Sequence, residues 1–229
     1  MSELAAATSP ELARPGGVLL VPVGSTEQHG PHLPLGTDTL VAEAVARRLA
    51  AGLPGAVVAP ALPYGSSGEH AGFAGTVSIG QEALEAVVVE LGRSASATFP
   101  AVVVVSGHGG NAAPLRRAVG RLVAEGRRAR LVAPAFHGDA HAGRTETALL
   151  LALAPSLVRS EQVAAGVTTS LPELLPELRR SGVAAVSPNG VLGDPRGATA
   201  EEGHALLEAA VAGLAADLRA WLDGQEVAP

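Results

Sequence analysis

Ala101-Val102-Val103-Val104-Val105-Ser106-Gly107-His108-Gly109-Gly110-Asn111 is the stretch on which the fold turns. A continuous apolar run of this kind reads as a strand buried on both faces, as in parallel sheets, and the residues after it open a helix near Ala112. His108 then leaves the carboxyl end of a buried strand, where open α/β sheets place their ligands. Gly109 and Gly110 have two readings. They let the backbone approach a ligand or adopt positive φ, with Asn111 capping the helix, or they cradle an anion at a helix N-terminus. The anion loop ranks second, because neither G-x-x-x-x-G-K-[ST] nor G-x-G-x-x-G is present.

Outward from this stretch, strand-like and helix-like segments alternate. Strands are expected over 17–23, 56–59, 101–106 and 129–133, and helices over 39–51, 81–98, 113–125, 145–153 and 200–222. Such alternation predicts an α/β fold: a three-layer sandwich, its mostly parallel central sheet covered by helices on both faces. Segments 64–80 and 156–199 are rich in Gly, Pro and Ser, and long connections of this kind are functional or interfacial. Within the second, Leu171-Pro172-Glu173-Leu174-Leu175-Pro176-Glu177-Leu178 reads as a proline-punctuated surface excursion. One domain is expected over 1–229, with about 1–13 and 224–229 flexible.

The chain has 229 residues, 47% hydrophobic but only 2% aromatic, with 28 glycines, so its core is built from Ala, Val and Leu. All sixteen basic residues are arginine, which reflects coding bias more than function. A net charge of -6 without a basic stripe argues against a nucleic-acid partner. No apolar span is long enough for a membrane helix, and the N-terminus lacks a secretory pattern, so a cytoplasmic protein with no membrane partner is expected.

Short stretches collect the metal-capable side chains: Glu27-Gln28-His29 with Asp38, then His108, then His141-Ala142-Gly143-Arg144-Thr145-Glu146. Carboxylate with imidazole suits Zn, Mn or Fe, and a carboxylate between two ions can bridge them. With no cysteine, thiolate zinc sites and disulfides are excluded. Each piece also has a structural reading. Glu27 and His29 lie i, i+2 at a strand end, on one face, as a ligand pair or as satisfied polar residues. Asp38 is a ligand or the N-cap of a helix starting near Thr39.

The ordered motifs carry a resemblance. Ser25-Thr26-Glu27-Gln28-His29-Gly30-Pro31-His32 through Asp38, Gly68-Glu69-His70 leading to Phe73-Ala74-Gly75-Thr76, Gly107-His108-Gly109-Gly110-Asn111, and His141-Ala142-Gly143 with Glu146-Thr147 resemble the series of the creatininase family of metal-dependent amidohydrolases. Gly190-Val191-Leu192-Gly193-Asp194-Pro195 is similar to that family's closing signature. Within the family, Tyr64 to His70, Gly75 to Gly80 and the Gly-Gly form of the His108 motif most resemble the mycofactocin-system members, peptidases that trim the C-terminus of a ribosomally made cofactor precursor.

What the resemblance implies is a hydrolase holding two divalent metal ions (Zn, Fe or Mn) on Glu27, His29, Asp38, His108 and Glu146, with Asp38 as the bridge. It implies His141 as the proton donor to the leaving amine, with Glu69 and His70 as further candidates around the site or for gripping substrate. The expected partner is a modified precursor peptide, cleaved to release a C-terminal dipeptide, and a homo-oligomer is implied. Two departures separate the chain from creatininase itself. Gly110 stands where that pattern has a glutamate, which makes Glu146 the replacement candidate, and the tryptophans closing over a small planar substrate are missing. Trp221, the chain's single tryptophan, is expected to pack. Arg144 and Arg196 are either carboxylate clamps or surface charges. The rival functions are small-amide or formamide hydrolysis and a non-catalytic binding or assembly subunit.

Overall fold

A computed structural model describes residues 2–13 and 16–224. Five strands form one sheet, β1 (Ser2–Glu3), β2 (Leu19–Val23), β3 (Val57–Val58), β4 (Val102–Ser106) and β5 (Ala129–Val132), in the order β1-β3-β2-β4-β5. Every pairing is parallel. The apolar run of β4 is buried along its whole length, the consequence of helices on both faces.

Alternate strand residues feed two cores. Leu20, Val103 and Val105 join Val45, Leu49, Leu149, Leu150 and Leu207 on the side of α1 (Thr37–Ala51), α4 (Arg144–Leu153) and α6 (Ala200–Leu222). Leu19, Val21, Val102 and Val104 join Leu84, Val88, Leu115 and Ala118 on the side of α2 (Gly80–Ala95) and α3 (Ala112–Ala124). This period of two is what a parallel strand requires when both its faces are covered. The three-layer α/β architecture expected from the sequence is therefore present.

Two local expectations differ from the structure, and a third falls almost wholly outside the described residues. Part of the segment expected to be flexible, Ser2–Glu3, pairs with β3, and short 3-10 turns follow at Leu4–Ala6 and Ser9–Leu12. The tail expected over 224–229 lies, beyond Gly224, outside the described residues. The excursion read at 171–178 is the start of a helix, α5 (Leu171–Val186). Pro172 occupies its first turn, where no amide is needed, and Gly182 at φ 73 bends it where an added Cβ would lie 2.9 Å from the Glu69 carbonyl. Trp221 packs partly buried against the first core, with the Arg128 guanidinium 4.9 Å from its ring centre.

Candidate metal centre

Register brings the motifs together. Val23 pairs with Ser106, so the chain leaves β2 towards Glu27 and His29 at the same sheet edge where it leaves β4 towards His108. Helix α1 then presents Asp38 to this edge. Two glycines permit its approach: a Cβ at Gly24 would lie 2.5 Å or less from Thr39 atoms, and one at Gly107 would lie 2.2 Å from the Asp38 carbonyl. Asp38 makes no cap. Helix α1 starts at Thr37 with Gly36 before it and no side-chain cap bond, which leaves the Asp38 carboxylate free for the cluster. Asn111 does not cap α3 either; its amide accepts from Ser66 N (2.8 Å) and donates to Gly24 O (2.9 Å), tying two loops together.

From the other side, α4 supplies Glu146 in its first turn. Ala142, between His141 and α4, is the one described non-glycine residue at positive φ (51), and its amide donates to Glu146 Oε2 at 2.6 Å. Strain of this kind at a loop persists where the surroundings over-determine it.

The donor atoms converge. His29 Nε2 stands 3.3 Å from Asp38 Oδ1 and 3.8 Å from Glu146 Oε2. His108 stands 3.4 Å from Asp38 Oδ2 through Nδ1 and 3.2 Å from Glu27 Oε2 through Nε2. Three overlapping groups have metal-binding spacing: Glu27 with Asp38 and His108, His29 with Asp38 and Glu146, and Glu27 with His29 and His141. Glu27, His29 and Asp38 each belong to two of them. Glu27 is fully buried and Asp38 is 3% exposed, yet both Glu27 oxygens and Asp38 Oδ2 have no hydrogen-bond partner. Buried carboxylate oxygens left this way are costly unless a cation faces them.

The electrostatics agree. Burial pulls the His29 imidazole down, but Asp38, Glu146 and Glu27 outweigh it and raise its pKa to about 10. His108 rises to about 9 for the same reason, burial being overcome by Glu69, Asp38 and Glu27. Burial, helped by Asp38, raises Glu27 to about 7. In the absence of cations the cluster thus takes up protons, the smallest positive charges on offer.

Around this centre, His141 places Nδ1 3.9 Å from Glu27 Oε1 and 4.0 Å from Glu146 Oε2, and burial with the charge of His29 pushes its pKa well down. His70 Nε2 lies 3.2 Å from Glu27 Oε1, and burial brings its pKa to about 4. Glu69 Oε1 lies 3.3 Å from His108 Nε2. Neither Gly109 nor Gly110 adopts positive φ; close approach is the reason at Gly110, where a Cβ would meet Glu69 Oε1 at 2.3 Å and Ser66 O at 2.5 Å. A side chain at 110 has no room here, and the Glu69 carboxylate fills that space. Arg144 pairs with Glu202 and Arg196 with Asp194, both at the surface.

Sequence reasoning did not single out Gln28, which is buried and bonded to residues from three segments. Strand alternation would turn it away from its neighbours Glu27 and His29. A polar residue inside an otherwise ligand-like triplet was the available signal. His32, by residue type more often a surface or satisfied polar residue than a ligand, is fully buried; its Nε2 lies 2.8 Å from the Thr147 hydroxyl, while its Nδ1 has no hydrogen-bond partner.

Comparison with known proteins now bears on this geometry. The family described as creatinine amidohydrolase matches residues 2–218. A protein of Mycobacterium ulcerans named mycofactocin precursor peptide peptidase is 48% identical over 99% of this chain and 94% of its own length. One of the same name from Mycobacterium tuberculosis is 51% identical over 97% and 92%. Among solved structures, a creatinine amidohydrolase aligns with TM-score 0.80 at 29% identity, covering 99% of this chain and 98% of that one. A manganese form of creatininase aligns equally well, at 28% identity over 96% and 98%.

Proposed function

The chain belongs to the creatininase family, and on that premise we propose that it is a metal-dependent peptidase that removes a C-terminal dipeptide from a ribosomally made precursor peptide in mycofactocin maturation. The observation that carries the reading is the pair of ligand groups sharing Asp38, with the carboxylate oxygens of Glu27 and Asp38 buried and unpartnered. The relatives with this name support the substrate class.

Glu27, Asp38 and His108 would hold one divalent ion, and His29, Asp38 and Glu146 a second. Zinc, iron and manganese all fit oxygen and imidazole donors; relatives of known structure include zinc and manganese forms. Bound ions would polarise a peptide carbonyl and lower the pKa of a water nearby. His141 would take the attacking water's proton at Nδ1, the nitrogen turned towards the carboxylates, and pass it to the leaving amine. Burial keeps the ring neutral beforehand. Glu69 steadies the His108 ring through its Nε2 side. Substrate enters at the Glu69 side, the more open face of the cluster, where that side chain is 36% exposed. The working unit is one domain, cytoplasmic and homo-oligomeric, with no nucleic-acid partner. No helix among the described residues is long and apolar enough to cross a membrane.

The test uses protein purified without chelator. Metal analysis is expected to give two divalent ions per chain, and peptides ending in different residues are expected to lose a C-terminal dipeptide, identified by mass. Turnover of a formamido compound without any peptide cleavage would move the assignment to small-amide hydrolysis. Protein with well under one ion per chain, and unable to be reloaded, would leave a non-catalytic subunit.

A further inference from the structure

We infer that Gln28 is a positioning residue that sets the tautomers of both histidines behind the metal ligands, leaving His141 with a bare Nδ1 towards the cluster and His70 with an Nε2–H towards Glu27. The inference rests on the proposed proton-transfer role of His141 only for its consequence for rate.

The orientation of the Gln28 carboxamide is fixed by backbone. Gly30 N donates to its Oε1 at 2.9 Å, and its Nε2 donates to Gly190 O at 3.0 Å. The space it occupies is kept open by Gly190, at φ 78, where a Cβ would lie 1.9 Å from Gln28 Oε1. The closing-signature glycine thereby acquires a function.

An amide nitrogen carries two hydrogens. Gln28 Nε2 has three neighbours within bonding distance: Gly190 O at 3.0 Å, His70 Nδ1 at 2.9 Å and His141 Nε2 at 3.0 Å. His141 Nε2 is also 2.8 Å from the Gln28 main-chain oxygen, which can only accept. If His141 carries its proton on Nε2, it donates to that carbonyl, and the two amide hydrogens go to Gly190 O and His70 Nδ1. Every polar group that meets Gln28 is then satisfied. If His141 Nε2 is instead bare, the Gln28 carbonyl loses this donor and one of the two amide acceptors goes without a hydrogen. Buried groups left unpaired cost more than the alternative, so the first arrangement prevails. His70 Nδ1, as an acceptor, is bare, so the ring's proton sits on Nε2, 3.2 Å from Glu27 Oε1. One residue therefore sets His141 through its main chain and His70 through its side chain.

The experiment is a long-range proton–nitrogen correlation spectrum of the zinc-loaded protein near neutral pH, which distinguishes imidazole tautomers. In the native chain both His70 and His141 are expected in the Nε2–H form, and a proton on Nδ1 of His141 overturns the inference without any variant. Gln28→Met keeps the volume but removes the amide donors. It is expected to mix the two tautomers of His70, leave His141 unchanged because the main-chain carbonyl remains, and keep the zinc content. Gln28→Glu, whose carboxylate only accepts, is expected to invert His70 to Nδ1–H, and it serves if the Met variant does not fold. A folded variant with both rings as in the native chain refutes the positioning role. If the ring patterns change as expected but His141→Asn keeps full activity, the tautomer setting stands and the proton-transfer reading falls.

Discussion

Two regions of this molecule concentrate charge, and they do so in opposite ways. On the α2–α3 face, Glu125 sits among Arg93, Arg121 and Arg127, with Glu90 also on Arg93, and each carboxylate meets a guanidinium near solvent. At the carboxyl edge of the sheet, the ion-pair partners of Glu27, Asp38 and Glu146 among the described residues are imidazoles, with no guanidinium, and three of their oxygens have no hydrogen-bond partner. The first cluster is balanced by the chain's own fixed cations, whereas the second is not. What differs is where the positive charge comes from: the buried set has the donor spacing for ions that the surface set has no need of.

The sharpest way to break this comparison is to remove a donor from the buried set. His108→Ala should abolish metal binding and peptide cleavage together, because Asp38 and Glu27 lose the imidazole that completes their group. Normal metal content in that variant, measured by elemental analysis, would mean the two clusters differ for some other reason. His141→Asn should act more narrowly, keeping both ions while lowering kcat by about 10²–10⁴-fold, the usual range for general acid–base catalysis. Loss of an ion would move His141 into the ligand set, through the group it forms with Glu27 and His29.

Smaller, and carried by pH, is the effect of withdrawing the ions. His29 and His108 have folded-state pKa values raised to about 10 and about 9. Their contribution is full below the unfolded value near 6.5 and is lost as pH rises through 9 and 10. Glu27, raised to about 7, likewise stops contributing as pH climbs to that value. His70 acts in the other direction, since its lowered value of about 4 makes stability fall as pH drops from 6.5 towards 4. Chelated protein should therefore lose thermal stability steadily from about pH 7 to 10. Metal-loaded protein should not, because cations replace those protons. Parallel melting curves with and without chelator across that range would argue against a cation site.

How much of this was legible in sequence follows from the range of the interactions. The β2, β4 and α3 assignments rest on local periodicity, which the buried run 102–106 and the apolar stripe of α3 state plainly. Glu27, His29, Asp38, His108, His141 and Glu146 were each visible as residue types, and family motif order grouped them before any distance was known. Whether Asp38 capped its helix or faced the cluster was not legible, because the decision belongs to Gly24 and Gly107, whose missing side chains let α1 approach. Helix α5 was hidden by its prolines, which break a pattern without breaking a helix when one stands in the first turn. Gln28 was hidden because its partners His70, His141 and Gly190 come from distant segments.

The smallest expected effect lies in the surface cluster, and it completes the contrast. Arg93 holds the Glu125 carboxyl down to about 2, so Glu125 is ionised throughout the physiological range. Its partners are solvated and their side chains flexible, so Coulomb attraction is screened and the entropy of holding them offsets most of the gain. Glu125→Gln should therefore leave metal content and kcat unchanged and lower the melting midpoint by about 2 °C or less at low ionic strength. The difference should vanish near 1 M salt, where the screening length falls to about 3 Å. Removing a charge from the buried set has no such salt remedy, because water and counterions do not reach Glu27 or Asp38. A large, salt-insensitive loss in the Glu125 variant would show that the surface cluster is as dependent on each of its members as the buried one.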